Sequence, residues 1–173
     1  MIIETVKVGY LNTNCYILKK DNKCLIIDPG DDYELIKEKI SNYQVLAILI
    51  THNHFDHIGA LENLKNLYNV EIISYETIVE KTCSIGPFKF EVIFNPGHSI
   101  DSISFYFKEE NVMFVGDFVF KESIGRCDLE GGSLEEMYKS ISSLKKYKDL
   151  ILYPGHGNNT TLEYEKLNNP YFN

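Results

Sequence analysis

Long apolar segments and targeting features are absent from this sequence of 173 residues. Its longest purely apolar run, Val45 to Ile50, has six residues, whereas roughly 20 are needed to span a bilayer. The first residues, Met1 to Thr5, have neither a basic start nor an apolar core, so they do not resemble a signal peptide. The four cysteines form no C-x-x-C pair and indicate no disulfide framework. These absences predict a reduced, cytoplasmic protein that does not cross a membrane.

Basic residues are also scarce, and Arg126 is the only arginine. The chain has 17 lysines and arginines against 25 aspartates and glutamates, which gives a net charge of −8. Proteins that bind the phosphates of nucleic acid normally carry the opposite charge. We therefore expect a small-molecule substrate and no nucleic-acid partner.

No repeat, low-complexity tract or linker divides the chain, so the sequence predicts one domain over residues 1–173. Short hydrophobic runs predict strands at Ile2–Val8, Cys15–Lys19, Lys23–Ile27, Val45–Ile50, Val70–Ser74, Phe88–Phe94, Ile103–Phe107, Val112–Val115 and Leu150–Tyr153. Helical spacing and capping signals predict helices after Asp31-Asp32, around Leu61–Leu67, from a Ser133–Glu136 capping box to about Lys146, and over Thr160–Asn168. This mixture is typical of a layered α/β domain.

Four potential metal ligands follow the predicted buried strand Val45–Ile50 within six residues: His52, His54, Asp56 and His57. In an extended loop, residues two positions apart point the same way, so His52 and His54 can chelate one ion. Asp56 and His57 lie where the chain turns into a helix and can reach a second ion. Imidazole combined with carboxylate suits zinc, iron or manganese better than calcium or magnesium.

The two remaining histidines, His98 and His156, share one sequence context. Each follows Pro-Gly just after a predicted strand, where glycine permits a close approach of the backbone. Because the context is repeated, we expect both to be ligands rather than structural residues. Asp117 also follows a predicted strand, and the pattern alone leaves it as either a turn residue or a functional carboxylate.

These motifs resemble those of the metallo-β-lactamase fold superfamily, and within it the small glyoxalase II-like (hydroxyacylglutathione hydrolase-like) enzymes. Five motifs occur in the family's order across essentially the whole chain: Asp28 at a strand end, the His52–His57 cluster, His98, Asp117 and His156. The similarity includes the stretch Ser123–Leu129 with Gly131-Gly132, and the tail from Thr160 to Pro170. The resemblance implies a four-layer αββα sandwich in which two mixed sheets are flanked by helices.

The resemblance also implies a centre of two divalent metal ions, with zinc expected and iron or manganese as alternatives. The implied ligands are His52, His54 and His98 for the first ion, Asp56, His57 and His156 for the second, and Asp117 as the bridge. Asp28 is expected to orient a ligand imidazole, the usual way in which a carboxylate fixes a histidine tautomer.

The reaction implied by the resemblance is hydrolysis by a hydroxide that bridges the two ions. Asp56 is expected to orient this hydroxide or handle its proton. A thioester of the S-lactoylglutathione type is the first expected substrate, and lactones or other esters are an alternative. A persulfide dioxygenase with a single iron is the oxidoreductase alternative. Asp117 stands where the common dizinc lactamases carry cysteine, so a β-lactamase is not expected.

Some residues outside the ligand set are candidates for substrate contact. Arg126 can hold a substrate carboxylate, although an ion pair with Asp128 is the favoured interpretation. Lys121 can contact an anionic substrate or remain solvated. Phe118 can line a pocket or pack in the core, as can Phe55.

The expected substrate is a small, anionic thioester or ester, and the expected assembly is a monomer or a small homo-oligomer. Full-length glyoxalase II enzymes add a C-terminal helical domain that supplies much of the glutathione-binding surface. Because this chain stops at Asn173, we expect that domain to be missing. Hydrolysis is therefore better indicated than S-lactoylglutathione as its substrate.

Overall fold

The computed structural model describes residues 1–78 and 80–172. Its strands are β1 (Ile2–Val8), β2 (Thr13–Lys20), β3 (Lys23–Ile27), β4 (Gln44–Leu49), β5 (Glu71–Ile73), β6 (Thr82–Ile85), β7 (Phe88–Phe94), β8 (Ile103–Phe107), β9 (Val112–Gly116), β10 (Val119–Phe120), β11 (Ser123–Ile124), β12 (Ile151–Pro154) and β13 (Thr160–Thr161). Its helices are α1 (Tyr33–Ile40), α2 (Phe55–Ile58), α3 (Leu61–Tyr68), α4 (Leu134–Leu144) and α5 (Leu162–Asn168), followed by a 3₁₀ turn at Pro170–Phe172. Within the described ranges, these helices lack the length and apolarity that a bilayer-spanning segment needs.

The strands form two mixed sheets and one small hairpin. The first sheet has the order β1-β2-β3-β4-β5, with antiparallel pairing from β1 to β3 and parallel pairing from β3 to β5. The second sheet has the order β13-β12-β9-β8-β7-β6, in which β12 and β9 are parallel and the other neighbours are antiparallel. Strands β10 and β11 pair with each other in a separate hairpin.

Three hydrophobic cores lie between four layers of structure. Side chains alternate along a strand, so Cys15 and Ile17 of β2 pack in the core that includes α1 and α3, while Tyr16 and Leu18 pack in the core shared with the second sheet. The outer face of the second sheet packs on α4 and α5 through a third core that contains Met137. The arrangement is the four-layer αββα sandwich that the resemblance implied.

Most predicted elements are present with small shifts at their ends, and several elements were not predicted. Strand β6 has the sequence Thr-Cys-Ser-Ile and lies at the sheet edge with half-buried or exposed side chains, so no strong apolar pattern marks it. The predicted terminal helix over Thr160–Asn168 is wrong at its start, because its first two residues pair with β12 as β13. Helix α4 ends at Leu144, before the predicted end near Lys146.

The predicted capping box at the start of α4 forms only in part. The Ser133 hydroxyl accepts a hydrogen bond from the Glu136 N–H at 3.3 Å, as a helix N-cap should. The second bond of a capping box, from the Ser133 N–H to the Glu136 carboxylate, does not form. The Ser133 N–H donates instead to the Gly97 carbonyl at 2.8 Å, and the Glu136 carboxylate pairs with Lys139. This exchange ties the start of α4 to the Pro-Gly turn that precedes His98.

Candidate metal centre

The candidate ligands follow strands whose carboxyl ends meet at one edge of the sandwich. Asp28 follows β3 and His52 follows β4, and these strands are parallel. Asp117 follows β9 and His156 follows β12, which are also parallel. His98 follows β7, which runs in the same direction as β9 because both are antiparallel to β8. The topology therefore brings side chains from distant parts of the chain into one cleft, where α/β sheets commonly place their sites.

Three imidazoles form the first ligand group: His52, His54 and His98. The Nδ1 atom of His54 lies 3.1 Å from His52 Nε2 and 2.8 Å from His98 Nε2. His98 Nδ1–H donates to the Arg126 carbonyl at 2.7 Å, which leaves the lone pair of its Nε2 facing the group. Burial, and then the neighbouring histidines, hold the pKa of His52 well below its usual value. Neutral nitrogens that face one another in this way suit a metal ion.

The second ligand group consists of Asp56, His57 and His156. Asp56 Oδ2 lies 3.1 Å from His156 Nε2 and 3.6 Å from His57 Nε2. His57 is fully buried, and its Nε2 has no hydrogen-bond partner among the described residues. Burial disfavours the charged form of Asp56, but His156, His57 and the Thr13 hydroxyl hold its pKa well below the usual range. The buried Nε2 of His57 is thus aimed at a position that a cation would fill.

Asp117 lies between the two groups. Its Oδ1 is 3.4 Å from His57 Nε2, and its Oδ2 is 3.6 Å from His98 Nε2 and 3.5 Å from His156 Nε2. The Oδ1 atom is buried and has no hydrogen-bond partner in the described part of the chain. Although burial opposes its charge, the adjacent histidines, His57 foremost, lower the pKa of Asp117. An ionised carboxylate whose oxygens face histidines of both groups fits a ligand shared by two ions.

Asp28 holds His57 from the side opposite the cleft. Its Oδ2 is 2.9 Å from His57 Nδ1, which directs the other ring nitrogen toward the ligand group. Burial disfavours the charged imidazole, but Asp28 and Asp117 raise the pKa of His57 to about 10. The local field therefore favours a positive charge at this position, whether a proton or a metal ion supplies it.

The side chains present fit a binuclear centre. Ligand atoms lie within 4.8 Å of one another in three overlapping groups: His52, His54 and His98; His52, His57 and Asp117; and Asp56, His57 and His156. Among the described residues, four buried side-chain polar atoms lack a hydrogen-bond partner, and the two that belong to candidate ligands, His57 Nε2 and Asp117 Oδ1, are satisfied if cations bind there. The geometry thus brings together all seven predicted ligands and the predicted orienting carboxylate.

Two threonines support the ligands and were not predicted from the sequence. Thr51 donates its N–H at 2.8 Å and its hydroxyl at 2.7 Å to Asp28, and its Oγ1 lies 3.1 Å from His52 Nδ1. Thr13 donates its hydroxyl to Asp56 Oδ2 at 2.9 Å. The position of Thr51 directly before His52 was an available signal. Thr13 had no local signal, because β2 meets Asp56 only in the folded chain.

Close packing of the backbone explains the glycine that precedes His156. A Cβ atom on Gly155 would lie 2.2 Å from Asp117 Oδ1 and 2.6 Å from the His57 ring. These separations are shorter than any van der Waals contact, so a side chain at this position would displace two ligands. The glycine of this Pro-Gly-His motif therefore allows the end of β12 to pack directly against Asp117 and His57.

The predicted substrate contacts divide between surface and core. Arg126 forms an exposed bidentate ion pair with Asp128, with the Nε–Oδ1 distance at 2.7 Å, so the favoured interpretation agrees with the structure and only the Arg126 carbonyl reaches the site. Lys121 is exposed, with its Nζ atom 5.2 Å from the centre of the Tyr164 ring. Phe118 is 2% exposed and packs in the third core, which is the core-packing alternative of its two sequence interpretations. Phe55 is exposed beside Asp56.

The comparisons with known proteins agree with this geometry. A family model described as the metallo-beta-lactamase superfamily matches residues 8–82 and 76–156. Hydroxyacylglutathione hydrolase GloC of Haemophilus influenzae is 32% identical over 100% of this chain and 99% of its own length.

Two solved structures show the same fold over nearly the whole chain. The BLEG-1 B3 metallo-beta-lactamase is 31% identical with a TM-score of 0.94, and 99% of each chain is covered. TTHA1623, solved in a di-iron-bound form, is 30% identical with a TM-score of 0.86, and the match covers 97% of this chain and 99% of that one. The chain belongs to the metallo-beta-lactamase superfamily and is a metal-binding hydrolase of that family.

Proposed function

We propose that the protein is a binuclear metallohydrolase that cleaves a thioester, with related esters as secondary substrates. The observation that carries the proposal is the convergence of two ligand groups on adjacent positions, with Asp117 shared between them. The name of the relative GloC supports a thioester, because hydroxyacylglutathione is one. A mono-iron oxidoreductase would leave the second ligand group, Asp56, His57 and His156, without a role.

Two divalent ions, when bound, supply Lewis-acid chemistry that lowers the pKa of a water molecule and polarises the carbonyl of the substrate. We propose zinc as the metal because the donors are imidazole and carboxylate. Iron is the alternative, since the same donors suit it and the similar TTHA1623 was solved with two irons.

We assign Asp56 the role of holding and orienting the attacking water. Its low pKa keeps the carboxylate ionised at neutral pH, so its oxygens accept hydrogen bonds and do not donate them. The Thr13 hydroxyl donates to Oδ2 and thereby restricts rotation of the carboxylate. The same Oδ2 atom lies 3.1 Å from His156 Nε2, so it faces the other ligands of the second group.

The surface beside Asp56 suits a substrate with an apolar portion. A cavity of about 270 Å³ is lined by Tyr10, Leu11, Phe55 and Asp56 among others. The rings of Tyr10 and Phe55 stack with centroids 6.3 Å apart, and both side chains are mostly exposed. Positive charge at a loaded metal centre would attract an anionic group despite the acidic exterior. We therefore propose a small, anionic thioester whose acyl or thiol part contacts this aromatic pair.

Metal analysis combined with a substrate panel tests the proposal. The panel contains S-lactoylglutathione, a simple aliphatic thioester, a lactone, an aryl ester and a β-lactam, each assayed with zinc-loaded and iron-loaded protein. We expect two metal ions per chain and the highest kcat/KM on a thioester. Consumption of oxygen with glutathione persulfide, or a preference for the β-lactam like that in the name of BLEG-1, would contradict the proposed reaction.

We also propose that the protein works in the reducing cytoplasm, as a monomer or small homo-oligomer. All four cysteines are free, and Cys15 and Cys24 are buried. Free buried thiols are typical of proteins from reducing compartments. Cell fractionation and light scattering of the purified protein test the two statements separately.

A further inference from the structure

Helix α5 and the residue that caps its C-terminus carry two polar side chains that are fully buried and are not metal-ligand candidates, Glu165 and Asn169. The Glu165 carboxylate accepts hydrogen bonds from Thr160 Oγ1 at 2.6 Å, from Asn169 Nδ2 at 2.8 Å and from the Glu122 N–H at 2.9 Å. Asn169 Nδ2 also donates to the Ser123 carbonyl at 2.9 Å. A buried carboxylate is costly unless it is well hydrogen-bonded, so these donors indicate a dedicated connection.

The connection ends on the turn of the β10–β11 hairpin. Glu122 lies in this turn with φ of 59°, a backbone conformation that side-chain-bearing residues adopt only at a free-energy cost. Its N–H is held by Glu165, and its carboxylate accepts a hydrogen bond from the Tyr164 hydroxyl. The buried Glu165–Asn169 pair therefore stabilises a turn that would otherwise relax.

The hairpin leads at both ends into the metal centre. Asp117, the shared ligand, lies just before β10. Arg126 lies just after β11, and its carbonyl accepts the 2.7 Å hydrogen bond from His98 Nδ1. The Gly125 N–H donates to the Phe118 carbonyl at 3.2 Å, which joins the two ends of the hairpin.

The hairpin also contacts the second ligand group. The ring of Phe120 packs edge-on against the imidazole of His156, with centroids 6.2 Å apart. The Phe120 carbonyl is in turn 3.4 Å from Asn169 Nδ2. A shift of β10 would therefore change the contacts of His156 as well as those of His98.

We propose that Glu165 and Asn169 are positioning residues of the metal centre, acting through the β10–β11 hairpin. By fixing the hairpin, they hold the Arg126 carbonyl against His98 Nδ1–H and so set the tautomer and orientation of that ligand. The inference rests on metal binding in the proposed function and not on the identity of the substrate.

The test compares Glu165→Gln with a matched core variant, Leu64→Ala, whose site lies in the core between the first sheet and its helices. Thermal unfolding of both metal-free proteins shows how far each is destabilised. Zinc affinity is then measured by competition with a chromophoric chelator, and the tautomer of His98 by its ring ¹⁵N chemical shifts. A milder variant, Tyr164→Phe, removes only the contact to the Glu122 side chain and covers the case in which Glu165→Gln does not fold.

We expect Glu165→Gln to weaken zinc binding by about 10- to 100-fold, the range typical of outer partners of metal ligands. His98 should change from one Nδ1–H tautomer to a mixture, while Leu64→Ala, at comparable loss of thermal stability, should keep both properties. Tyr164→Phe should show a smaller loss in the same direction. Equal zinc affinity in Glu165→Gln and Leu64→Ala, with an unchanged His98 tautomer, would overturn the inference. Absence of thioester hydrolysis in the wild-type protein would overturn only the proposed substrate, because neither readout uses turnover.

Discussion

The two halves of the candidate metal centre are built from different chemistry. The first, His52, His54 and His98, contains only imidazoles; the outer nitrogen of His52 faces the Thr51 hydroxyl and that of His98 donates to the Arg126 carbonyl. The second, Asp56, His57 and His156, contains a ligand carboxylate. It also has Asp28 behind it, 2.9 Å from His57 Nδ1.

This difference produces opposite shifts of the histidine pKa values. Burial lowers the pKa of His52 and His54 in the first half. In the second half, carboxylates outweigh burial and raise the pKa of His57 to about 10, and the hydrogen bond to Asp56 raises that of His156. His52 and His54 are thus neutral donors in the first half, whereas the second half is organised around negative charge and holds a proton on His57 when no metal is present. A metal in the second half must displace that proton, whereas His52 and His54 carry no extra proton to displace.

The largest predicted effect follows from removing a ligand of the first half. His54→Ala deletes the nitrogen that lies between the other two imidazoles. We expect loss of metal from this half and a fall in kcat of at least about 100-fold, the upper end of what loss of an outer partner alone can cause. Metal content by mass spectrometry and turnover of the best thioester are the measurements. The adjacent exposed residue supplies the control, since Asn53→Ala should keep both; full turnover in metal-depleted His54→Ala would refute the metal mechanism.

Removing the charge behind the second half should have the next largest effect. Asp28→Asn replaces a carboxylate that accepts bonds from Thr51 and His57 with an amide that presents donor hydrogens. We expect metal affinity to fall by about 10- to 100-fold, with the loss confined to the second half. Titration with cobalt, followed by the visible absorption bands of the ion in each half, measures the metal affinity of the two halves separately. Equal weakening of both halves would show that Asp28 serves the whole centre and would remove this part of the contrast.

The clustering of the candidate ligands was predictable from the sequence, whereas the network that holds them was predictable only in part. Close spacing, as in His52 to His57, and repeated Pro-Gly-His contexts are visible without a structure. Asp117 is different, because one carboxylate after a strand is ordinary until a family pattern gives it a role. The contact of Thr13 with Asp56 and the bonds of Glu165 to the hairpin join residues 43 positions apart. Such long-range contacts depend on sheet order and register, which local hydrophobic patterns do not determine.

The pH dependence of metal binding should separate the two halves further. Metal and proton compete for a ligand, so affinity falls as pH drops below the pKa of that ligand. Because His57 and His156 have raised pKa values, the affinity of the second half should already decline as pH falls from 8 to 6, by roughly tenfold per pH unit for each proton displaced. The first half, in which burial lowers the pKa values of His52 and His54, should depend less on pH over this range. Metal affinity is measured by chelator competition at each pH. If the affinities of the two halves fall in parallel, the proposed difference between the halves is wrong.

The smallest predicted effect concerns orientation within the second half. Thr13→Val keeps the shape of the side chain but removes the hydroxyl that donates to Asp56 Oδ2 at 2.9 Å. A hydrogen bond to a charged group is worth about 1.5 kcal/mol, which corresponds to roughly a tenfold change. If Asp56 orients the attacking water, kcat should fall by about tenfold while the metal content stays at two ions. Thr77→Val is the matched control, since that hydroxyl donates to the Ile72 carbonyl and is not among the groups that contact Asp56. An unchanged kcat in Thr13→Val would mean that metal ligation alone orients Asp56, and loss of one metal ion would mean that Thr13 supports binding instead of orientation.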